Sequence, residues 1–363
     1  MTTAATPETV ARLQAKFDHF ARHAFADEPL YAALSAAAAA HADWAALLAG
    51  APASQQLPLL WLAALQDRVL ELVDAGERPP LADYFASAGD ARAPDAALLA
   101  HLGDFLAAHR DALVRRIATR TTQTNEIGRC AVLWPILQDL AETTGRPIAL
   151  LDVGCSAGLN LGVDRWRYRY VDDATGATFA TTPADRDPAA PEIACRVLAG
   201  ARPSATAEPV ITSRCGIDVS PIFVDDAAEV RWLRACLWPH DRERATRLET
   251  AIEFAQLAKR RVQQSGDGLA VLTAWLDGLP HGVLVHHVHR ERVGTHALND
   301  PPRGVGWWTA MPIATHPRSV AQAEAKGAVV IAIAIDAQIE PRAAAEVEER
   351  QLVAAAVLGD RAQ

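Results

Sequence analysis

Asp152, Gly154, Ser156, Gly158 and Asn160 stand in one short run, Asp152-Val153-Gly154-Cys155-Ser156-Ala157-Gly158-Leu159-Asn160, directly after the apolar letters Ile148 to Leu151. An apolar strand that ends in an acid and opens into a Gly-x-x-x-Gly turn is a common way of holding a nucleotide-type ligand. Glycine has no Cβ, so the backbone at Gly154 and Gly158 takes positive φ and approaches a ligand closely. A helix after the turn would aim its free N–H groups at the same place. The five central letters also read Gly-x-Ser-x-Gly, the turn that exposes a serine nucleophile in α/β hydrolases. Such an elbow follows several sheet strands, whereas residues 1–145 read as helical almost throughout. Ser156 is therefore not expected to be a nucleophile, and its hydroxyl is left to bond a ligand carboxylate or to cap the next element.

A second acid marks a second strand end. Cys215-Gly216-Ile217-Asp218-Val219-Ser220-Pro221 reads as the next parallel strand with Asp218 at its tip, where a carboxylate commonly accepts hydrogen bonds from a ribose diol. Asp152 ends a buried strand, so it needs a partner such as a backbone N–H or a ligand's amino group. Asn125, Glu126 and Arg129 open a helix just before the first strand; they read as caps, with Arg129 one turn inside and in reach of a substrate or cofactor carboxylate. Arg165, Arg167 and Arg169 alternate with Tyr168 and Tyr170. On a strand this puts the arginines on one face, as an anion-binding wall or as a solvated edge. His281, His286, His287, His289 and His296 crowd around another strand end. Because an imidazole titrates near neutrality, His286 is the expected general base, with His287 as alternate. No carboxylate or cysteine pattern accompanies these histidines, so no metal is expected.

The elements that must position these groups fall into two textures. Residues 5–25, 29–49, 58–75 and 93–119 are rich in Ala and Leu, with apolar letters at three- and four-residue spacing, which predicts an all-helical N-terminal cap. Its last helix carries Ile127, Cys130, Trp134, Leu137 and Ala141 on one stripe, with Pro135 expected to kink it. From residue 147 short apolar runs alternate with helical ones, the pattern of a parallel α/β sheet. Strands are expected near 147–153, 214–219, 268–274 or 283–288, and 328–335. A conventional unit places the ribose acid ~20 residues after the glycine turn. Asp218 lies much farther on, so residues 165–213 read as an insert, a small antiparallel element forming a flap or surface decoration. Residues 225–262 read as one or two helices with Trp232, Leu233, Cys236 and Leu237 inward.

Composition bounds the function. The chain has 363 residues, half of them hydrophobic, and a net charge of −9. That is enough for one large or two modest cores, and the negative charge argues against nucleic acid as a partner. Five scattered cysteines with no Cys-x-x-Cys pair indicate free thiols in a reducing compartment rather than disulfides or a zinc knuckle. No stretch approaches the ~20 apolar residues of a membrane helix, and residues 1–20 lack the apolar core of a signal peptide. The expectation is a cytoplasmic protein acting on a small molecule, of unspecified oligomeric state.

The run Leu150 to Leu161, followed by Gly216-Ile217-Asp218, resembles the first motif and the ribose-binding strand of Rossmann-like, S-adenosylmethionine-dependent methyltransferases. More of the chain is similar to a bacterial family, domain of unknown function 2332. That likeness rests on Gln123 to Cys130, Gly154 to Asn160, Asp164-Arg165-Trp166-Arg167-Tyr168-Arg169-Tyr170, Gly216 to Asp218 and Arg231 to Pro239, and it runs from about residue 10 to 285. The methyltransferase resemblance implies an α/β, Rossmann-like methyltransferase-type sheet over 146–340, with a helical cap over 1–145, the inserted flap, and a C-terminal helix over 341–363. It implies S-adenosylmethionine as cofactor, held by Asp152, Gly154, Ser156, Gly158, Asn160, Asp218 and, near the adenine amine, Asp267. The substrate would then meet Asn125, Glu126, Arg129, Arg167 and Tyr168, and the reaction would be methyl transfer to a small molecule. The rival readings are a non-catalytic nucleotide-ligand binder and a serine hydrolase. From His289 to Ser319 the letters turn rich in Arg, His and Pro, and the Trp- and Gly-Glu-containing strands implied by the family likeness are not legible there. A change of reading frame upstream of Asn299 would produce this texture.

Overall fold

The computed structural model describes residues 5–23, 28–123, 125–181, 186–197, 207–258, 263–264, 268–278, 284–290 and 330–335. The expected C-terminal helix over 341–363 lies outside them, as does Asp267. The described chain is mixed α/β. Helices come first: α1 (Pro7–His23), α2 (Pro29–Ala40), α3 (Ala42–Ala45), α4 (Pro58–Asp74), α5 (Leu98–Thr119) and α6 (Cys130–Thr144). Proline opens α2 and α4, where its missing N–H costs nothing. α4 is the buried axis of this group, with Leu60 to Gln66 all shielded. Glu126 caps a 3-10 turn, Ile127–Arg129, that leads into α6, and α6 runs through Pro135 as one helix.

Strand β1 (Ile148–Val153) is buried along its whole length, as a strand covered on both faces must be. It is the centre of a five-stranded sheet with β5 (Ile211–Ile217), β6 (Gln263–Gln264), β7 (Leu284–Arg290) and β8 (Val330–Ile335), in the order β6-β5-β1-β7-β8. Every neighbouring pair is parallel. In chain order these strands are third, second, first, fourth and fifth, so the direction of winding reverses between β1 and β7. Helices α7 (Ala227–Ala235) and α8 (Arg242–Ala258) lie between β5 and β6, and α9 (Gly268–Gly278) between β6 and β7. The segment 268–274 is thus a helix, and of the two expected strands the later one forms. The run Leu269 to Leu276 is mostly Leu, Ala and Trp, with few β-branched residues, and helix propensity decides such a short apolar run.

The insert folds as a second sheet, ordered β3-β2-β4, from β2 (Arg167–Asp172), β3 (Thr178–Thr181) and β4 (Glu192–Val197). β2 and β3 form an antiparallel hairpin closed at Asp172, while β2 and β4 run parallel. The insert is therefore a mixed sheet rather than a purely antiparallel one, because the long connection from β3 to β4 returns the chain to the start of β2. β2 is its central strand, not a solvated edge.

The α-helix expected after the glycine turn does not form; a 3-10 turn, Leu159–Gly162, stands in its place. Arg214 on β5 explains why. Its guanidinium donates to Leu161 O at 2.7 Å and to Asp164 at 2.7 Å, fixing the chain in a non-helical path. The Trp166 ring also lies so close to Gly162 that a Cβ there would come within 2.6 Å of it.

The chain divides into two compact units that exchange segments. One comprises residues 1–124 and 224–249; the other comprises 125–223 and 250–363. α6 thus belongs with the sheets, and α7 with the N-terminal helices. In the helical unit, α7 is tied on by Arg231, which pairs with Asp67 and Glu71 of α4. Trp232 Nε1 donates to Thr121 O at 3.0 Å, and Arg120 pairs with Glu229.

Candidate functional site

The carboxyl end of β1 builds the candidate site from the backbone outward. Gly154 (φ +79), Ser156 (φ +53) and Gly158 (φ +69) all take the left-handed region, and Ser156 is the one non-glycine residue to do so among the described residues. A side chain there costs roughly 1–2 kcal/mol. The turn is laced to β5: Gly154 N donates to Ile217 O at 2.7 Å, and Ser156 O accepts from Ile222 N at 3.1 Å. Cys155 packs against Gly216 so closely that a Cβ on Gly216 would come within 2.7 Å of the sulfur. Beside Gly154, a Cβ would meet no described atom within 4 Å.

Asp218 lies at the tip of β5, as expected, and both its oxygens serve the turn. Oδ2 accepts from Ser156 N and Oδ1 from Ser220 N, each at 2.8 Å. A carboxylate oxygen has a second lone pair, so this clamp leaves Asp218 able to accept from a ligand. Asp152 is 3% exposed, and its charge, after burial itself, raises the thiols of Cys130 and Cys155 far above the usual cysteine value. Burial pushes Cys215 up to about 11. None of these thiols is a nucleophile near neutral pH.

The loop before α6 reaches the same place. Asn125, 4% exposed, donates from Nδ2 to Cys155 O at 3.0 Å. Asn160 is held to α6 by Cys130, whose thiol faces its Oδ1 at 3.6 Å. Glu126 Oε1 accepts from Gly128 N at 2.7 Å, the capping role, and Arg129 is half-buried in that 3-10 turn. Arg167 and Arg169 face Glu192 of β4, at 3.6 and 2.9 Å, and Arg167 Nε donates to Ala190 O. The expected anion wall is thus satisfied by the insert's own carboxylate. Tyr168 is buried, its hydroxyl donates to Val163 O, and its ring stacks on Trp134. That arrangement makes it part of the insert's core.

The register places the histidines of β7. His286 and His287 lie opposite Leu150 and Leu151, in the middle of the sheet, and His289 lies opposite Val153, at the strand end that carries the turn. His281 and His296 lie outside the described residues. Among the described residues, no group of three His, Cys, Asp or Glu is arranged to hold a metal ion. Sequence reasoning missed Arg214 and the Cys155–Gly216 contact. Neither carries a motif, since each joins residues fifty or more positions apart.

The fold and site together define an α/β protein with a glycine-rich turn at the point where its parallel sheet changes winding direction. The sequence model of a family described as an uncharacterized protein conserved in bacteria (DUF2332) matches residues 14–293, and the chain belongs to that family. No curated protein and no solved structure matches the chain. Among the described residues no single helix is long and apolar enough to cross a membrane.

Proposed function

We propose that the sheet-bearing unit is a Rossmann-like domain that binds S-adenosylmethionine and transfers its methyl group to a small molecule. One observation carries this reading: a turn with positive φ at Gly154, Ser156 and Gly158 sits at the carboxyl end of the central strand. Ligands of doubly wound sheets bind outside the carboxyl strand ends where the strand order reverses, and that place is between β1 and β7. Asp218 and Gly154, where a Cβ would meet no described atom within 4 Å, support the same position, with the ribose diol on the carboxylate and the ligand backbone against the glycine. A methyl group leaves a sulfonium readily, so the protein's work is to align the acceptor and take its proton. His289, opposite Val153 at the strand end that carries the turn, is the candidate base in place of His286 and His287, which lie mid-strand.

Calorimetry and thermal melts with S-adenosylmethionine and S-adenosylhomocysteine test it. A ligand at 100 times its dissociation constant stabilises a fold by about 2.7 kcal/mol, a melting shift of roughly 5–10 °C. Asp218→Asn, which loses the charge and one of the two backbone bonds that the carboxylate accepts, should weaken binding by at least about tenfold. No heat and no shift with either ligand would remove the cofactor. If both bind but methyl-labelled cofactor leaves no labelled product in a metabolite extract, the protein is a binder without transfer.

The positive φ of Ser156 is the one observation favouring a serine hydrolase. Its Oγ is buried, with the residue 1% exposed, whereas an elbow serine must be open to substrate. A fluorophosphonate probe should leave Ser156 unlabelled.

A further inference from the structure

Two buried polar atoms flank the glycine turn without a protein partner. Asn125 is oriented by its bond to Cys155 O, since a carbonyl accepts only from the NH2 side of an amide. This leaves Asn125 Oδ1, a pure acceptor, buried and unpaired. The main chain of Ser156 is fully used, its N–H by Asp218 and its carbonyl by Ile222, while its Oγ is buried and unpaired. Both groups adjoin the single peptide link between Cys155 and Ser156. Such groups are costly to leave unmade, and Ser156 also holds a φ of +53 that glycine would take without strain. The hydroxyl therefore has a use that outweighs both penalties.

The local potential indicates what fills the gap. The carboxylate of Asp218 is bonded to Ser156 N, and the charges of Asp152 and Asp218 both reach Cys155, so acidic groups adjoin this turn. An acceptor and a hydroxyl in a negative field suit a positively charged donor and repel a carboxylate. We propose that Asn125 Oδ1 and Ser156 Oγ receive the ammonium group of the bound ligand. These two residues then select a nucleoside that bears an amino acid over one that lacks it. The inference rests on the cofactor reading above and adds to it a selectivity and the two side chains that produce it.

The experiment compares S-adenosylhomocysteine with 5′-methylthioadenosine, which has the same nucleoside and thioether but no amino acid, by calorimetry on the full chain. The wild type is expected to prefer S-adenosylhomocysteine by at least about tenfold, the effect of a hydrogen bond to a charged group. Ser156→Gly should lose most of that preference by weakening S-adenosylhomocysteine alone, while its melting temperature holds or rises because the strain is relieved. Asn125→Ala should lose the same preference. If the preference survives in both variants, or both ligands weaken in parallel, the assignment of these residues is overturned. Binding of both ligands to the wild type without preference overturns the ammonium site but leaves the cofactor reading standing. If neither ligand binds, both fall.

Discussion

Glu28 is 2% exposed, and both its oxygens turn to one residue: Oε1 accepts from His240 Nδ1 at 2.5 Å and Oε2 from His240 N at 3.4 Å. Tyr31 and Asp241 are also titratable groups beside it. Burial raises the carboxyl above the usual range, against the lowering effect of His240. A carboxyl with a raised folded pKa holds its proton more tightly in the folded state. Its contribution to stability is present below the ordinary carboxylate pKa and is lost as pH rises through the raised value. Glu28→Gln keeps an acceptor for His240 and removes the titration. Urea melts from acid to neutral pH should therefore show the wild type losing stability relative to this variant as pH rises. A difference that stays flat would show that folding does not shift the titration of Glu28.

At the scale of elements, α7 is held by charge as well as by packing. Asp67, with its side chain 6% exposed, accepts from Arg116 Nε at 2.7 Å and Arg231 Nε at 3.1 Å, and Glu71 pairs with Arg68, Arg116 and Arg231. Asp67→Ala leaves two largely buried guanidinium groups to share the carboxylate of Glu71, so urea denaturation should report a loss of about 2 kcal/mol, the worth of a hydrogen bond to a charged group. A change below about 0.5 kcal/mol, typical of surface sites, would mean that the network is not holding α7. The bonds of this network join residues as far apart as Asp67 and Arg231, which is why no spacing in the sequence announced it. The elements themselves were far more legible. Ala- and Leu-rich periodicity marked α1, α2, α4 and α5, and apolar runs ending in Asp marked β1 and β5, because these patterns report burial within a single element. The missing helix after the glycine turn was illegible for the opposite reason: Arg214 and Trp166, which set that path, act from elsewhere in the chain. The candidate site was half legible. Gly154, Ser156, Gly158 and Asp218 meet as expected, whereas Tyr168, Arg167 and Arg169 serve the insert, and Asn125 joins the turn through a bond that its capping pattern did not foretell. The family match ends at residue 293, close to where the texture of the sequence changes.

The whole molecule is two units built from interleaved stretches of one chain. Residues 1–124 alone lack α7, the partner of α4, so that fragment should show helical circular dichroism without a cooperative melt. A synthetic peptide covering 224–249 should restore the melt when added in trans. Cooperative unfolding of the fragment without the peptide would show that α7 is dispensable to the helical unit.

The same interleaving sets an order of events at the ribosome. The helical unit is not complete until residue 249 has emerged, about 125 residues after its first stretch ends, roughly 6–25 s at ordinary synthesis rates. During that interval α4 waits with one flank uncovered while β1, the glycine turn and the insert are being made. The N-terminal helices are thus exposed to chaperones and proteases for as long as translation takes to reach α7, and a pause within the insert would lengthen that exposure.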